Sequence, residues 1–260
     1  MVGLSNSIGI DITGRKLSGS VVNSFTIRVN TTLGNANNTV NLSVININSD
    51  VDWGDGTVEN KNLSGTQTIS HTYTSGGIYN IKIPNAIEGF SSTSGDILKI
   101  TFIDFGNNYG LNSTSQEGAF NGLSNCTSLG NGIGMFNNVT NFETFFRNTP
   151  ITNFPNINTS SATTFRLAFT HSNLQSFPAN VFDNCPSTNF QFAWLRNAID
   201  VTGVDNILVS INQARLNGVH VGSTNRIDIN NGTSATPSAT GKTATDALRA
   251  NGITVNLNGY

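Results

Sequence analysis

Charge is what this sequence has least of: 13 Lys and Arg stand against 15 Asp and Glu in 260 residues, 11% charged in all. No run of Lys or Arg occurs, so the electrostatic footprint that holds DNA or RNA is missing and no nucleic-acid partner is expected. Cysteine is nearly absent too. Cys126 and Cys185 lie far apart and cannot supply the disulfide framework of a small secreted domain. Each follows an asparagine, and both read as small buried apolar residues with free thiols. No apolar run reaches membrane-spanning length, so no membrane insertion is expected. The first 20 residues lack a basic stretch followed by an apolar one, so no Sec-type export signal is expected there. The three histidines, His71, His171 and His220, are scattered, without the spacing that puts two ligands and an acid on one helix face.

What fills the chain instead is 26 Gly together with abundant Asn, Ser and Thr. These side chains bond to nearby backbone and favour turns and sheet edges over long helices. With so little net charge, the composition reads as an ordered, loop-rich β protein and not as a disordered one. The densest signal is Val51-Asp52-Trp53-Gly54-Asp55-Gly56-Thr57, followed by His71-Thr72-Tyr73 and Gly77-Ile78-Tyr79. It reads as a strand, a tight Asp-Gly turn and two more strands. Period-two alternation in 25–29, 40–44, 45–47, 68–71 and 78–83 supplies the strands of a small β-sandwich over 23–90, centred on Trp53. Residues 1–22, punctuated by glycines, read as an extended arm.

The second half repeats. Phe142, Phe165 and Phe190 recur at steps of 23 and 25; four residues after each stand Phe146, Phe169 and Trp194; five further on stand Ile151, Leu174 and Ile199. Leu129, 22 residues before Ile151, extends the ladder upstream, as does a strand over 100–105. Strands at Ile227–Ile229 and Ile253–Leu257 extend it downstream, with short helices expected at 205–216 and 244–250. Units of this length cannot bury an apolar face alone, so they stack and share a core. The Phe142-type and Phe146-type positions are expected to form aromatic stacks inside.

The Trp53-Gly54-Asp55-Gly56, His71-Thr72-Tyr73 and Gly77-Ile78-Tyr79 elements resemble a PKD-type domain. The segment C-terminal to it resembles the BspA-like leucine-rich-repeat surface proteins, through Ile97-Leu98-Lys99-Ile100, Gly118-Ala119-Phe120, Asn125-Cys126-Thr127-Ser128-Leu129 and Met135-Phe136. The expected architecture is therefore mainly β: an N-terminal arm (1–22), a PKD/Ig-like sandwich (23–90), leucine-rich repeats (91–202) and an α/β C-terminal cap (203–260). The resemblance implies surface display and carries no catalytic residues. Without an export signal or wall anchor, the expectation is a non-enzymatic phage virion protein made in the host cytoplasm, a capsid or tail decoration. Its arm would hold other virion proteins, and its repeats would touch host glycan or protein weakly. The alternatives are a dedicated receptor-binding adhesin, a bacterial cell-surface location, or a glycan hydrolase.

Candidate sites are few. Asp50, Asp52 and Asp55 crowd one turn and could offer oxygens to calcium, although an Asp-Gly turn needs its Asp for backbone bonding and the EF-hand spacing is missing. His71, beside Tyr73, reads as a packed sandwich residue. Glu117, Glu143, Asp104, Asp183 and Asp200 could pair as glycosidase carboxylates, but no motif selects two of them. Gly241-Lys242-Thr243 mimics the end of a phosphate loop, yet the required upstream glycine position holds Thr236. Asn-rich stretches at 107–112, 137–138, 156–161 and 230–233 suit sugar hydroxyls or plain water. No cofactor is expected.

Overall fold

The computed structural model describes residues 24–85, 87–106, 111, 114–130, 136–187, 189–219 and 226–260. The arm expected over 1–22, Met135, His220 and most of the 107–112 asparagine stretch lie outside the described residues.

The chain is mainly β. Strands β1 (Phe25–Asn30), β2 (Thr39–Asp52), β3 (Val58–Thr72), β4 (Ile78–Ile83), β6 (Ile100–Asp104) and β7 (Ser128–Leu129) form one sheet in the order β3-β2-β4-β1-β6-β7. β5 (Ile87–Gly95) pairs with β2 off this path. The alternation in the sequence is physical: β1 buries Phe25, Ile27 and Val29 and turns Arg28 outward, and β4 buries Ile81 and Ile83. β2 serves two neighbourhoods. Its middle pairs with β5, and its last residue, Asp52, pairs with Lys82 of β4. Within the segment paired with β5, the register of β2 against β3 slips at Asn46, which takes a left-handed φ of 47°, a conformation Asn tolerates better than most residues. Its amide is fixed on both sides, accepting from the Gly65 N–H and donating to Glu88.

Several boundaries differ from expectation. The segments 40–44 and 45–47 are one strand. β3 begins at Val58, ten residues before the expected 68–71 strand, and of its 15 residues only Ile69 is buried. An edge strand with no buried face leaves no alternation to read. The strand at 100–104 belongs to the first sheet, antiparallel to β1, so that sheet runs past residue 90.

Beyond β6 the pairing changes sense. β6 and β7 are parallel, and parallel bridges then join Ser115, Asn141, Thr164 and Asn189 in succession. Strands β8 (Asn189–Phe190), β9 (Arg226–Ile229) and β10 (Thr254–Leu257) continue as a parallel sheet ordered β10-β9-β8. The rungs between Ser115 and Asn189 are turns, stacked so that each donates to the carbonyls of the next. Phe142, Thr144 and Phe146 N–H groups bond to Thr164, Arg166 and Ala168; Phe165, Leu167 and Phe169 bond to Asn189, Gln191 and Ala193.

Two corners in each rung are left-handed, and they recur in register: Gly118 and Gly122, then Thr144 and Asn148, Leu167 and His171, Phe192 and Arg196. Only the first rung uses glycine. Each later non-glycine corner costs about 1–2 kcal/mol of backbone strain. Aromatic packing offsets it. Phe142, Phe165 and Phe190 stack face to face, with centroids 4.8 and 5.5 Å apart and planes within 8°. Phe120 stacks on Phe146, Phe169 on Trp194, and Phe154 on Phe177. Ile151, Leu174 and Ile199 are buried beside them.

A polar row lies within this apolar stack. Thr149 Oγ1 donates to the Phe120 carbonyl (2.6 Å), Ser172 Oγ to Phe146 (2.7 Å) and Asn197 Nδ2 to Phe169 (2.8 Å). All three side chains are buried, and each satisfies a carbonyl of the preceding rung. The cysteines fill apolar rows as well. Thr152 N–H bonds to Thr127 O and Gln175 N–H to Thr152 O, which puts Cys126, not Leu129, in the row of Ile151 and Leu174. Cys185 falls in a row with Val139 and Ala162. Both thiols are free, and burial pushes each up to about 12.

At the C-terminal end, α1 (Val201–Leu216) and α2 (Ala239–Ala250) start earlier than expected. Asp200 accepts from the Gly203 N–H at 2.7 Å and Ser238 from the Thr240 N–H at 3.2 Å, so N-caps set both starts. Gly241-Lys242-Thr243 lies inside α2, without the loop a phosphate site requires. Ile227 pairs with Phe190 and with Val255, not with Ile199, because α1 is inserted between the two rungs. A helix with each strand holds only for these last units.

The left-handed corners give a direct test. Thr144→Gly should be more stable than Thr144→Ala by about 1 kcal/mol, because only glycine removes the strain at φ 54°. Equal unfolding midpoints for the two variants would remove backbone strain from the repeat.

Candidate functional site

The Trp53 signature forms a closed clasp. Residues 53–57 make a five-residue loop between β2 and β3, wider than the two-residue turn expected. Asp52 Oδ1 accepts from Gly54 N–H and Asp55 Oδ1 from Thr57 N–H, both at 2.9 Å, while Trp53 N–H donates to Thr57 O at 3.0 Å. Gly54 has φ +82°, and a Cβ there would meet the Asn80 carbonyl at 2.6 Å, so no other residue fits. Gly56, at φ +93°, completes the loop.

Buried Trp53 stacks on His71 at 5.0 Å, His71 meets Tyr73 edge-on, and Tyr73 stacks on Tyr79 at 3.7 Å. The Tyr73 hydroxyl donates to the Trp53 carbonyl at 2.8 Å, and burial raises that phenol above its ordinary value. Gly77 N–H donates to Thr31 Oγ1. His71 Nε2 stands 2.8 Å from Asp55 Oδ2. Burial works against ionised Asp55, but bonds from His71 and Thr57 outweigh it and hold the carboxyl below its ordinary range.

The calcium candidates Asp50, Asp52 and Asp55 are each engaged in hydrogen bonds here. Asp52 and Asp55 spend oxygens on loop amides, and Asp50 Oδ1 accepts from Asn60 at 2.9 Å. Among the described residues no group of three His, Cys, Asp or Glu converges on one point.

Of the carboxylates weighed for glycan hydrolysis, Glu117 and Glu143 stand at matching positions of adjacent rungs, and Asp104, Asp183 and Asp200 lie on other segments. Asp104 accepts from Gly106 N–H, Asp183 from Ser210 Oγ, and Asp200 caps α1. Glu143 is paired with Arg166, and Glu117 accepts from Asn141. A shallow depression of about 290 Å³ borders α1 and α2, lined by Asn180, Thr202, Asp205, Val209 and Thr240 among others. Its carboxylate, Asp205, is already bonded to Ser238 N–H and Oγ.

What remains is the outward face of the stacked turns, where side chains from successive rungs meet. Glu143 meets Arg166, and Arg196 Nη1 donates to His171 Nε2 at 3.0 Å. That bond places the His171 ring proton on Nδ1. Burial, then the nearby Arg196 and Arg147 charges, hold His171 below the usual histidine range. Neither Arg147 nor Arg196 has a carboxylate partner among the described residues, and Arg147 Nε is buried without a hydrogen bond. The arrangement can hold an anionic or hydroxyl-rich group; it has no nucleophile–base pair. Sequence reading missed it because one corner position carries a different residue in each rung, Asn148, His171 and Arg196, with Arg147 just before the first of them.

No protein-family model, no curated protein and no solved structure matches this chain.

Two measurements check the electrostatics. Because the Asp55 carboxyl is held below its unfolded value, its contribution is complete above about pH 4 and fades as pH falls through the lower folded value. Asp55→Asn should therefore unfold earlier than wild type at pH 7, with the gap closing as pH falls below about 4; a gap independent of pH would contradict this. In NMR titration His171 should protonate below about 6.5, and Arg196→Gln should move its midpoint upward.

Proposed function

We propose that this chain is a non-enzymatic display protein of a phage particle, built as a PKD-like sandwich leading into a leucine-rich-repeat-type solenoid with an α/β end. The observation that carries the reading is the parallel ladder from Ser115 to Asn189, which exposes one polar face on a rigid aromatic interior. Stacked repeats of this kind present broad surfaces to partners. The closed Trp53 loop supports the PKD-like assignment, since its signature residues are all spent on folding the loop. The carboxylates weighed for hydrolysis are each engaged by an amide, a hydroxyl or an arginine, which favours contact over chemistry. The surface role proposed is decoration of the capsid or tail, with contacts to other particle proteins.

A second reading, a receptor-binding adhesin, is favoured by one specific observation: Arg147 and Arg196 flank His171 with no carboxylate among the described residues to neutralise them. Such a cluster suits the acidic sugars or phosphates of a host surface.

Mass spectrometry and antibody labelling of purified particles test the first reading, which expects the protein at defined surface positions. Its absence from particles would sink that reading. A glycan array separates the second: acidic-glycan binding that is lost in Arg147→Ala/Arg196→Ala supports the adhesin, and a blank array removes it.

A further inference from the structure

Lys99 is completely buried, which is exceptional for a lysine. It ends a short 3-10 turn, Ile97–Lys99, between β5 and β6, and its side chain reaches the loop that precedes β2. There Nζ lies 2.6 Å from Asn37 Oδ1, 2.5 Å from the Thr39 carbonyl oxygen and 3.4 Å from Asp96 Oδ1. Asn37 Oδ1 also accepts from the Thr39 N–H at 3.2 Å. Asp96 cannot drift: its Oδ2 accepts from both Asn41 N–H and Asn41 Nδ2 at 2.8 Å, and its own N–H donates to Asn41 O. The Lys99 N–H closes the turn on Asp96 O at 2.9 Å.

These are the parts of an amide-forming reaction. An amine nitrogen sits against a carboxamide, a carboxylate is within reach of the amine proton, and a backbone N–H points at the carboxamide oxygen, where negative charge would develop. Packing holds Nζ against Oδ1 of the very carboxamide whose Cγ it would attack, so much of the entropy of bringing the two groups together is already met by the fold.

We propose that Lys99 and Asn37 close an intramolecular amide cross-link. Asp96 takes a proton from the Lys99 ammonium, and the freed Nζ lone pair attacks Cγ of Asn37. The oxyanion on Oδ1 is met by the Thr39 N–H. Asp96 returns the proton to Nδ2 and takes the second proton that Nζ sheds as the amide forms; the Cγ–Nδ2 bond breaks, and the nitrogen leaves as ammonia, with that last proton following it out as ammonium. Asn37 is exposed on its outer side, which gives the ammonia a way out. One C–N bond forms and one breaks, no oxidant or reductant is needed, and the carboxylate is regenerated. The bond would join positions 62 residues apart and enclose β2 to β5 in a covalent loop. This inference does not depend on the proposed function, but a tie between the loop before β2 and the turn before β6 suits a domain that is pulled from outside.

Intact-mass measurement of the freshly folded full chain tests it. The expected mass is lower than that of the sequence by one ammonia, and digestion should yield a branched peptide joining Lys99 to Asn37. Lys99→Arg and, independently, Asn37→Ala at its exposed loop position should each restore the full mass, and Asp96→Asn should greatly slow the loss. Succinimide formation at an Asn-Gly pair also releases ammonia, so the lysine variant decides. A wild-type mass equal to the sequence, or a loss that persists in Lys99→Arg, overturns the cross-link and leaves Lys99 as a hydrogen-bonded buried cation.

Discussion

The second half of this protein depends on the register between successive turns. A rung such as 141–149 has no strand of useful length, so Phe145, Arg147 and Thr149 amides close the turn on itself, while those of Phe142, Thr144, Phe146 and Asn148 find partners only in the next rung. Phenylalanine stacks alone would tolerate many offsets, because an aromatic face is a forgiving surface. The amide-to-carbonyl ladder is not forgiving: a shift by one residue would take the Phe145, Ala168 and Ala193 carbonyls away from the amides of Phe120, Phe146 and Phe169. Unsatisfied buried groups cost about 1–3 kcal/mol each. Register is thus fixed by polar groups, and the aromatics supply the drive to bring the rungs together.

The same requirement explains the left-handed corners. A turn that directs its amides to one side and its carbonyls to the other must reverse its backbone twice within a few residues. Gly118 and Gly122 do so without strain; Thr144, Leu167 and Phe192 do so against it. The strain is tolerable because each corner is clamped on both sides by bonded rungs. It also explains how the first sheet hands over to the ladder. β6 is antiparallel to β1 on one edge and parallel to β7 on the other, and Phe105, just beyond it, touches Phe25 behind and Phe120, Phe136 and Phe146 ahead. The first rung carries Gln116 where later rungs carry Phe142 and Phe165, and its Nε2 donates to the Glu88 carbonyl of β5. One apolar cluster runs through both halves.

Large side chains at a fixed period are easy to see, which is why the rows of Phe142, Phe146 and Ile151 were legible from residue spacing alone. The polar row was not, because Thr149, Ser172 and Asn197 are three different residue types performing one task. The corners were hidden for a similar reason: after the first rung, nothing in Thr, Leu or Phe announces a positive φ. Asp200 and Ser238 were legible in principle as N-caps, but the apolar pattern that drew attention to each helix starts a turn later. Of the clasp around Trp53, the residue types could be read, yet the carboxylates of Asp52 and Asp55 looked free until the loop geometry showed each holding an amide. The neighbourhood of Lys99 left no trace at all, since Asn37, Asp96 and Lys99 meet only through the pairing of β2 with β5.

The interior also bears on how the outer face can work. Core rows consume only some of the positions in a rung, and the ladder bonds consume backbone, not side chains. The remaining side chains are therefore free to vary from rung to rung without cost to the fold, which is how Glu143, Arg166, His171 and Arg196 come to share one surface. Their backbones are held by bonds on both sides, so little chain entropy is lost when a partner docks, and a modest number of contacts can suffice. Guanidinium groups with no carboxylate neighbour keep their hydrogen bonds available for that partner, whereas the paired Glu143 and Arg166 largely satisfy one another. If this face is where recognition occurs, specificity would come from Arg147, His171 and Arg196, with the rest of the rung acting as the frame that holds them.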